Sequence, residues 1–310
     1  MASSDKEREA KLRDAARDGN LEDVITLLDE GTQIDATDED GWTPLMWASS
    51  GGHVTCVQLL VDRGAQINHQ TKDGWTPLMW ASSGGHVTCV QLLVDRGAQI
   101  NHQDKLRSTV VNIGEAYATG LSTPSGIMWG STAPNPYGLI SHDRYEWTPL
   151  MRASQEGHVT CVQLLVDRGT QINHQNKDGC TPLMRASYGG HVTCVQLLVD
   201  RGAQINHQDK DGDTALHLAA RNDKASCVRA LLSRPGIDIN IKNKREETAM
   251  MVAGFTCLGV FNQVVKTCNE FPVDSYGKVV LCGNSGAGKS TLTQVGCLVY
   301  GLRTRNQALQ

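Results

Sequence analysis

The chain has 310 residues, 40% of them apolar and 5% aromatic, with a formal net charge of −4 and a pI near 6.2. That length suffices for one or two domains with a sizeable core built from Leu, Val, Ala and Met, and the slight acidity argues against nucleic-acid binding, which needs a clustered basic face. The opening MASSDKEREAKLRD is charged and lacks the apolar core of a signal peptide, and no run reaches the roughly 18 apolar residues of a membrane span; the expected location is cytoplasmic.

Residues 7–39 read as an end unit. A charged first helix, EREAKLRDAARD, suits a face turned to water, and GNLEDVITLLDEGTQID carries a second helix. Residues 41–70 then recur without change at 74–103, close copies follow at 146–175 and 179–208, and a diverged copy fills 211–243. Self-similarity at a spacing of 33 residues signals a repeat array.

Local chemistry accounts for each unit. Thr43 suits an N-cap and Pro44 the first helical position, where its missing N–H costs nothing. A short helix from Pro44 to about Ser50 ends at Gly51-Gly52. A second helix carries Val54, Val57, Leu60 and Val61 on one face, and Gly64 follows it as a left-handed cap. Gln66 to Trp75 reads as an extended hairpin with Asp73-Gly74 at its tip. One such unit cannot bury both helix faces, whereas stacked neighbours can, so the array is expected to be a solenoid. Five of the ten cysteines, Cys56, Cys89, Cys161, Cys194 and Cys227, share one repeat position, and no CxxC occurs. Reduced packing thiols are the expectation, rather than a disulfide framework or zinc site.

The TPL, GH, V, LL and GA pattern at this spacing resembles the ankyrin repeat. The resemblance covers residues 7 to about 268, apart from one insertion, and implies a mainly α-helical solenoid of helix-turn-helix units with β-hairpin tips that binds other proteins. Seven units are expected: 7–39, 40–72, 73–105, 145–177, 178–210, 211–244 and a last one at 245–268 without a closing hairpin. Ankyrin repeats usually carry His after TPL. Here Met46, Met79, Met151 and Met184 stand there and only His217 keeps the pattern; methionine packs well but donates no hydrogen bond, so some rigidity between repeats is expected to be lost. His53, His86, His158 and His191 open the second helices and read as structural hydrogen-bonding groups.

Residues 106–144 fall outside the period. Of these 39 residues, 17 are Gly, Ser, Thr or Pro, and they sit where a hairpin tip belongs, the position most tolerant of insertion. A disordered or loosely packed loop is the first reading; a binding loop, and a retained intron or misplaced exon boundary, are the alternatives.

After the array, Lys278-Val-Val-Leu-Cys282 forms a short apolar β-branched run. Gly283, Asn284, Ser285, Gly286, Ala287, Gly288, Lys289 and Ser290 follow, matching GxxxxGK[ST], and Thr291 to Tyr300 reads as a helix. The glycines would let backbone N–H groups wrap a polyphosphate, Lys289 would reach the outer phosphates, and Ser290 would hold Mg²⁺. GTP or ATP with Mg²⁺ is therefore the expected ligand, with Thr291 at the helix start. Residues 291–310 contain no Asp or Glu, so this segment reads as the first part of an α/β nucleotide-binding domain, and hydrolysis by this chain is not expected. An ankyrin array leading into YGKVVLCGNSGAGKSTL resembles Roc-type GTPase proteins such as the death-associated protein kinase group, and also NACHT-type ATPases; a nucleotide-switched signalling protein is what that likeness implies.

The expected organisation is ankyrin units over 1–105, the insertion at 106–144, further units over 145–268, and the phosphate-loop segment at 269–310. Within the array the framework is nearly constant, so the residues that vary between copies are the candidates for partner contact: Trp42, Trp75 and Trp147 beside the tips, Trp47 and Trp80 on the first helices, and Arg152, Arg185 and Tyr188 in the later copies. The alternative is that the tryptophans only pad neighbouring repeats.

Overall fold

The structure, a computed structural model, describes residues 2–105 and 146–269. The insertion at 106–144 and the phosphate-loop residues 283–291 lie outside the described residues. Thirteen helices are present among the described residues: α1 (Ala2–Asp18), α2 (Leu21–Asp29), α3 (Pro44–Gly51), α4 (Val54–Asp62), α5 (Pro77–Ser83), α6 (Val87–Asp95), α7 (Pro149–Glu156), α8 (Val159–Asp167), α9 (Pro182–Gly189), α10 (Val192–Asp200), α11 (Ala215–Arg221), α12 (Ala225–Leu232) and α13 (Phe255–Asn269). They stack in two layers. The first helices of the units, α1, α3, α5, α7, α9 and α11, pack in sequence, and so do the second helices, α2, α4, α6, α8, α10, α12 and α13. No described helix is long and apolar enough to cross a membrane.

Each unit forms as its residues dictate. The Thr43 hydroxyl accepts a hydrogen bond from the Met46 N–H at 3.3 Å and Pro44 opens the helix; Thr76, Thr148, Thr181 and Thr214 repeat the cap. Gly52 closes α3 at φ 72°, and a Cβ on it would lie 2.4 Å from His86 of the next unit. Only glycine allows both that left-handed turn and that approach. His86 Nε2 in turn pairs with the Ser50 carbonyl at 2.9 Å, and His53, His158 and His191 pair with the Arg17, Ser83 and Gln155 carbonyls at 2.8 Å. The recurring histidines are structural ties between units.

The core is a row of leucines, Leu45, Leu60, Leu78, Leu93, Leu150, Leu165, Leu183 and Leu198, interleaved with Met46, Met79, Met151 and Met184, all fully buried. Cys56, Cys89, Cys161, Cys194 and Cys227 are free and fully buried in the same core, and burial pushes the thiols of Cys89, Cys161, Cys194 and Cys227 up to about 11. Where methionine replaces the histidine that in the diverged unit bonds Glu247 O at 3.1 Å, other ties hold the units. Asp35, Asn68, Asn101, Asn173 and Asn206 each accept a backbone N–H from the following unit at 2.8–3.0 Å.

Among the described residues, four buried hydroxyls at one repeat position have no partner: Ser49, Ser82, Ser154 and Ser187, one in each TPLM helix. The diverged copy has Ala220 at this place. A buried hydroxyl without a partner is destabilising, and alanine is the better helix former. Each Ser→Ala change is expected to stabilise the array by about 1 kcal/mol, raising the melting temperature by about 2–4 °C. Thermal unfolding of the quadruple variant checks this, and a lowered melting temperature would mean the hydroxyls bond where none is seen.

Two expectations are corrected. The tips are turns, not β-hairpins: among the described residues only Lys242 and Thr248 form a β-bridge. The reason is that one side chain takes up the tip's donors. Asp38 Oδ1 accepts from the Asp40 and Trp42 N–H groups at 2.9 Å, and Thr71, Asn176, Asp209 and Asn243 do the same work in later units. A single backbone bond then joins successive tips, as from Lys72 N–H to Asp40 O at 3.0 Å. The last unit is also not a helix pair, because 249–252 are turns. Asp223 of the preceding unit caps the N–H groups of Thr256 and Cys257 at 3.3 and 2.8 Å, which sets the start of α13 at Phe255 and leaves too few residues before it for a first helix.

Candidate partner-binding face

The tips and the first helices bring seven of the eight candidate residues into one stack. Each tip residue is gripped between the first helix of its own unit and that of the next. The Trp42 ring lies 4.2 Å from Trp47 of its own unit and 4.1 Å from Trp80 of the next; Trp75 lies 4.0 Å from Trp80. The Arg152 guanidinium stands 4.0 Å over Trp75 and 4.3 Å over Trp147, and Arg185 stands 4.3 Å over the other side of Trp147. The order is thus Trp47, Trp42, Trp80, Trp75, Arg152, Trp147, Arg185. Tyr188 is on α9, one turn from Arg185, and is 44% exposed.

Replacing tryptophan by arginine at the helix position therefore keeps the stack intact, with cation–π contacts in place of ring pairs, each contributing about 0.5–2 kcal/mol according to desolvation. The stack ends where the tip residue becomes Cys180, whose buried thiol is pushed up to about 12 chiefly by desolvation. At the next tip Asp213 takes the place. It bonds both terminal nitrogens of Arg221 and the Asn243 amide. Burial works against its charge, but the Arg221 and Asn243 bonds together outweigh that and hold its carboxyl below the usual range. An aromatic face thus grades through arginine into an ion pair along the array.

Within the stack the surface is unequal. Trp75 and Trp147 are 9% and 5% exposed, while Trp42, Trp47 and Trp80 are half-buried. The indole N–H groups of Trp80 and Trp147 are buried without an acceptor. The stack is consequently both a join between units and, along its open edges and Tyr188, a surface.

Two features escaped the reading of the sequence. One is Asp104, 1% exposed at its side chain, which accepts from the N–H groups of Glu146 and Trp147 at 2.7 and 2.8 Å and pairs with Arg152. These contacts close a normal tip turn across the insertion, with Glu146 at the glycine position in a left-handed conformation, φ 80°. The other is a row of ion pairs between second helices: Asp29 with Arg63, Asp62 with Arg96, Asp95 with Arg168, Asp167 with Arg201 and Asp200 with Arg234. Side-chain hydrogen bonds from Gln58, Gln91 and Gln163, and then the arginines, hold the carboxyls of Asp62, Asp95 and Asp167 below their usual range. Both signals were in the sequence: a carboxylate at the tip position, and Asp and Arg 34 residues apart, or 73 across the insertion.

No curated protein was found to match the chain. Among solved structures, the crystal structure of the human ASB11 ankyrin repeat domain is similar, with 25% identity and a TM-score of 0.63, covering 81% of this chain and 96% of that one. The family model for ankyrin repeats (3 copies) matches residues 12–104, 150–243 and 202–266, on both sides of the insertion and over well more than half of the chain. With those matches and stacked helix pairs of this geometry, the chain belongs to the ankyrin-repeat family.

Proposed function

We propose that the array is a protein-binding scaffold that takes its partner along the tips and first helices, on the open edges of Trp42, Trp47 and Trp80 and on Tyr188. One observation carries this reading. Copies identical over 30 residues hold the framework constant, and most of the changes between copies fall on the tips and first helices, several of them in aromatic and arginine side chains of the kind that dominate interface energetics. The test is a titration of a partner recovered with the full chain against Trp47→Ala and Tyr188→Ala variants. A loss of at least about tenfold in affinity at each, or about 1.4 kcal/mol, with the melting temperature little changed, is the expected result. Unchanged affinity in both would place the surface elsewhere.

A second reading rests on the motif at 283–290 alone: the loop binds a nucleotide polyphosphate through its backbone and Lys289, with Ser290 on Mg²⁺ and Thr291 beside it. Residues 291–310 supply no carboxylate to complete the Mg²⁺ shell. Ordering eight loop residues costs about 1–2 kcal/mol each, so binding of GTP or ATP by the 310-residue chain is expected to be weak, above about 1 μM, without turnover. Calorimetric titration with and without Mg²⁺ checks this against a Lys289→Ala control; tight binding abolished by that change would show a complete site. On this reading the protein belongs to the nucleotide-switched signalling proteins of Roc or NACHT type.

A further inference from the structure

The stack on the partner-binding face has one unfinished end. Trp42, Trp80, Trp75 and Trp147 are each held between two stacked groups, whereas among the described residues half-buried Trp47 has a single one, the Trp42 ring at 4.2 Å. On α1, the helix packed against α3, the place of Trp47 is taken by Asp14; the matched ties of His53 to the Arg17 carbonyl and of His86 to the Ser50 carbonyl fix that register. The Asp14 side chain is 60% exposed and pairs with Arg17 of its own helix at 2.8 Å. Beside Trp42, the first tip exposes Glu39 and Asp40. Glu39 stands at a tip position that carries Lys72, Lys105, Lys177 and Lys210 in later units, so negative charge there is confined to the end where the stack begins. The whole end unit is acidic: residues 1–41 hold 13 Asp and Glu against 5 Lys and Arg, a net charge of −8 in a chain whose total is −4.

We propose that the open edge at Trp42 and Trp47 takes a basic segment of the partner protein, with an arginine side chain on the Trp47 ring and adjoining basic side chains facing Asp14 and Glu39. This rests on the reading of the face as a partner surface and names the chemistry of what that surface binds. The array itself shows which group the stack accepts after an indole. Where tryptophan gives way at the helix position, a guanidinium takes over, 4.0 Å over Trp75 and 4.3 Å on either side of Trp147. A planar guanidinium stacks flat on an indole while its N–H groups reach carboxylates at the ring's edge. Arg152 does both, since it covers two tryptophans and pairs with Asp104. At Trp47 the ring and the carboxylates are in place, and the partner supplies the guanidinium. Of the basic side chains on α1 beside this edge, Arg17 is already shared between Asp14 and Asp18, and Arg13 is turned to the Ala36 carbonyl. An acidic segment would meet the negative end unit and be repelled, whereas a basic one is steered to it.

The probe is a labelled synthetic peptide of four Arg-Ser-Gly repeats, titrated into the full chain at about 50 mM salt, with a peptide of four Glu-Ser-Gly repeats as its opposite. The arginine peptide is expected to bind and to quench tryptophan fluorescence, and the glutamate peptide to leave it unchanged. Raising the salt to about 300 mM should weaken binding at least about tenfold. Trp47→Ala and D14N/E39Q are each expected to weaken it at least about fivefold. E22Q/E30Q removes as much charge from exposed positions in the second layer of the same unit and should change binding by less than about twofold. Should Trp47→Ala disturb the stack, Trp47→Arg keeps the position filled with the residue found at 152 and 185 and sets a like charge against the peptide, so it too should abolish binding. Equal losses in the two charge variants would reduce the effect to the net charge of the end unit and overturn the proposal. Binding of the glutamate peptide, or arginine-peptide binding that survives both Trp47 variants, would overturn it as well. The recovered partner keeps this test apart from that of the face. Partner affinity lost in Trp47→Ala and Tyr188→Ala without any arginine-peptide binding leaves the face standing and removes its basic occupant, whereas partner affinity unchanged in both removes the face itself.

Discussion

Asp104→Ala is expected to split the unfolding of the array into two transitions, one for 2–103 and one for 146–269. Asp104 is the residue on which the two sides of the insertion close. Its carboxylate caps the N–H groups of Glu146 and Trp147 and pairs with Arg152, and it is buried. Removing it leaves two backbone donors without their acceptor and takes one carboxylate contact from the Arg152 guanidinium. Removing one partner of a buried pair costs about 3–5 kcal/mol. Other ties across this junction include His158 on the Ser83 carbonyl, Gln103 on the Glu146 carbonyl, Thr170 and Gln171 on Asn101, the Arg152 guanidinium over Trp75, and the exposed Arg168–Asp95 pair. An exposed pair contributes only about 0–1 kcal/mol, and a neutral hydrogen bond about 0.5–1.5 kcal/mol. In a linear array each unit holds only its neighbours, so loss at one junction uncouples what lies on either side. Calorimetry and hydrogen exchange read the split directly. The substitutions already present at this position grade the effect. Asp104→Asn, the residue found at 176 and 243, keeps the cap and loses only the charge of the Arg152 pair, so it should cost less and keep a single transition. Limited proteolysis within 106–144 should leave the halves of the parent chain associated on gel filtration and separate those of Asp104→Ala. A single cooperative transition in Asp104→Ala would show that helix packing alone carries the junction.

The repeat, the helix pairs and their caps were legible because each rests on local chemistry. Thr43 before Pro44 needs no tertiary partner to start a helix, and the leucine and cysteine positions follow from one face of a short amphipathic helix. The tips were misread because alternation and Asp-Gly suggest a hairpin, whereas the Asp38 carboxylate competes for the donors that a strand ladder would use. That competition is visible only once the side chain is seen to turn back on its own backbone. The start of α13 was not legible either, since its cap, Asp223, comes from another unit. The candidate face was found by variation between copies, but its internal order was not. Tip residues at 42, 75 and 147 meet helix residues five positions on and those of the next unit, so a change from Trp80 to Arg152 continues a stack rather than interrupting it. Only the spacing of the units in three dimensions shows this.

Trp147→Ala should therefore be costly for stability and should reveal what the stack does. Trp147 is 5% exposed and lies between the guanidinium groups of Arg152 and Arg185, each 4.3 Å from its ring. Truncating a buried tryptophan costs about 3–5 kcal/mol through lost transfer free energy and the cavity left behind. Here two cation–π contacts are lost as well, and two guanidinium groups lose the surface between them. For an array of this size the change corresponds to roughly 6–20 °C in melting temperature. Trp42→Ala is the comparison. Its ring touches two others at 4.1 and 4.2 Å but is only half-buried, so a smaller loss is expected, with a larger share of any effect appearing in partner affinity. Trp147→Phe keeps a ring for both guanidinium groups and removes the indole N–H that is buried without an acceptor, so it should recover most of the loss. If Trp147→Ala melts within a degree or two of the parent, the stack contributes little to joining the units and its side chains serve the partner alone. If Trp42→Ala proves as destabilising as Trp147→Ala, the open edge of the stack is structural too, and the partner must be sought at Tyr188 and the residues around it.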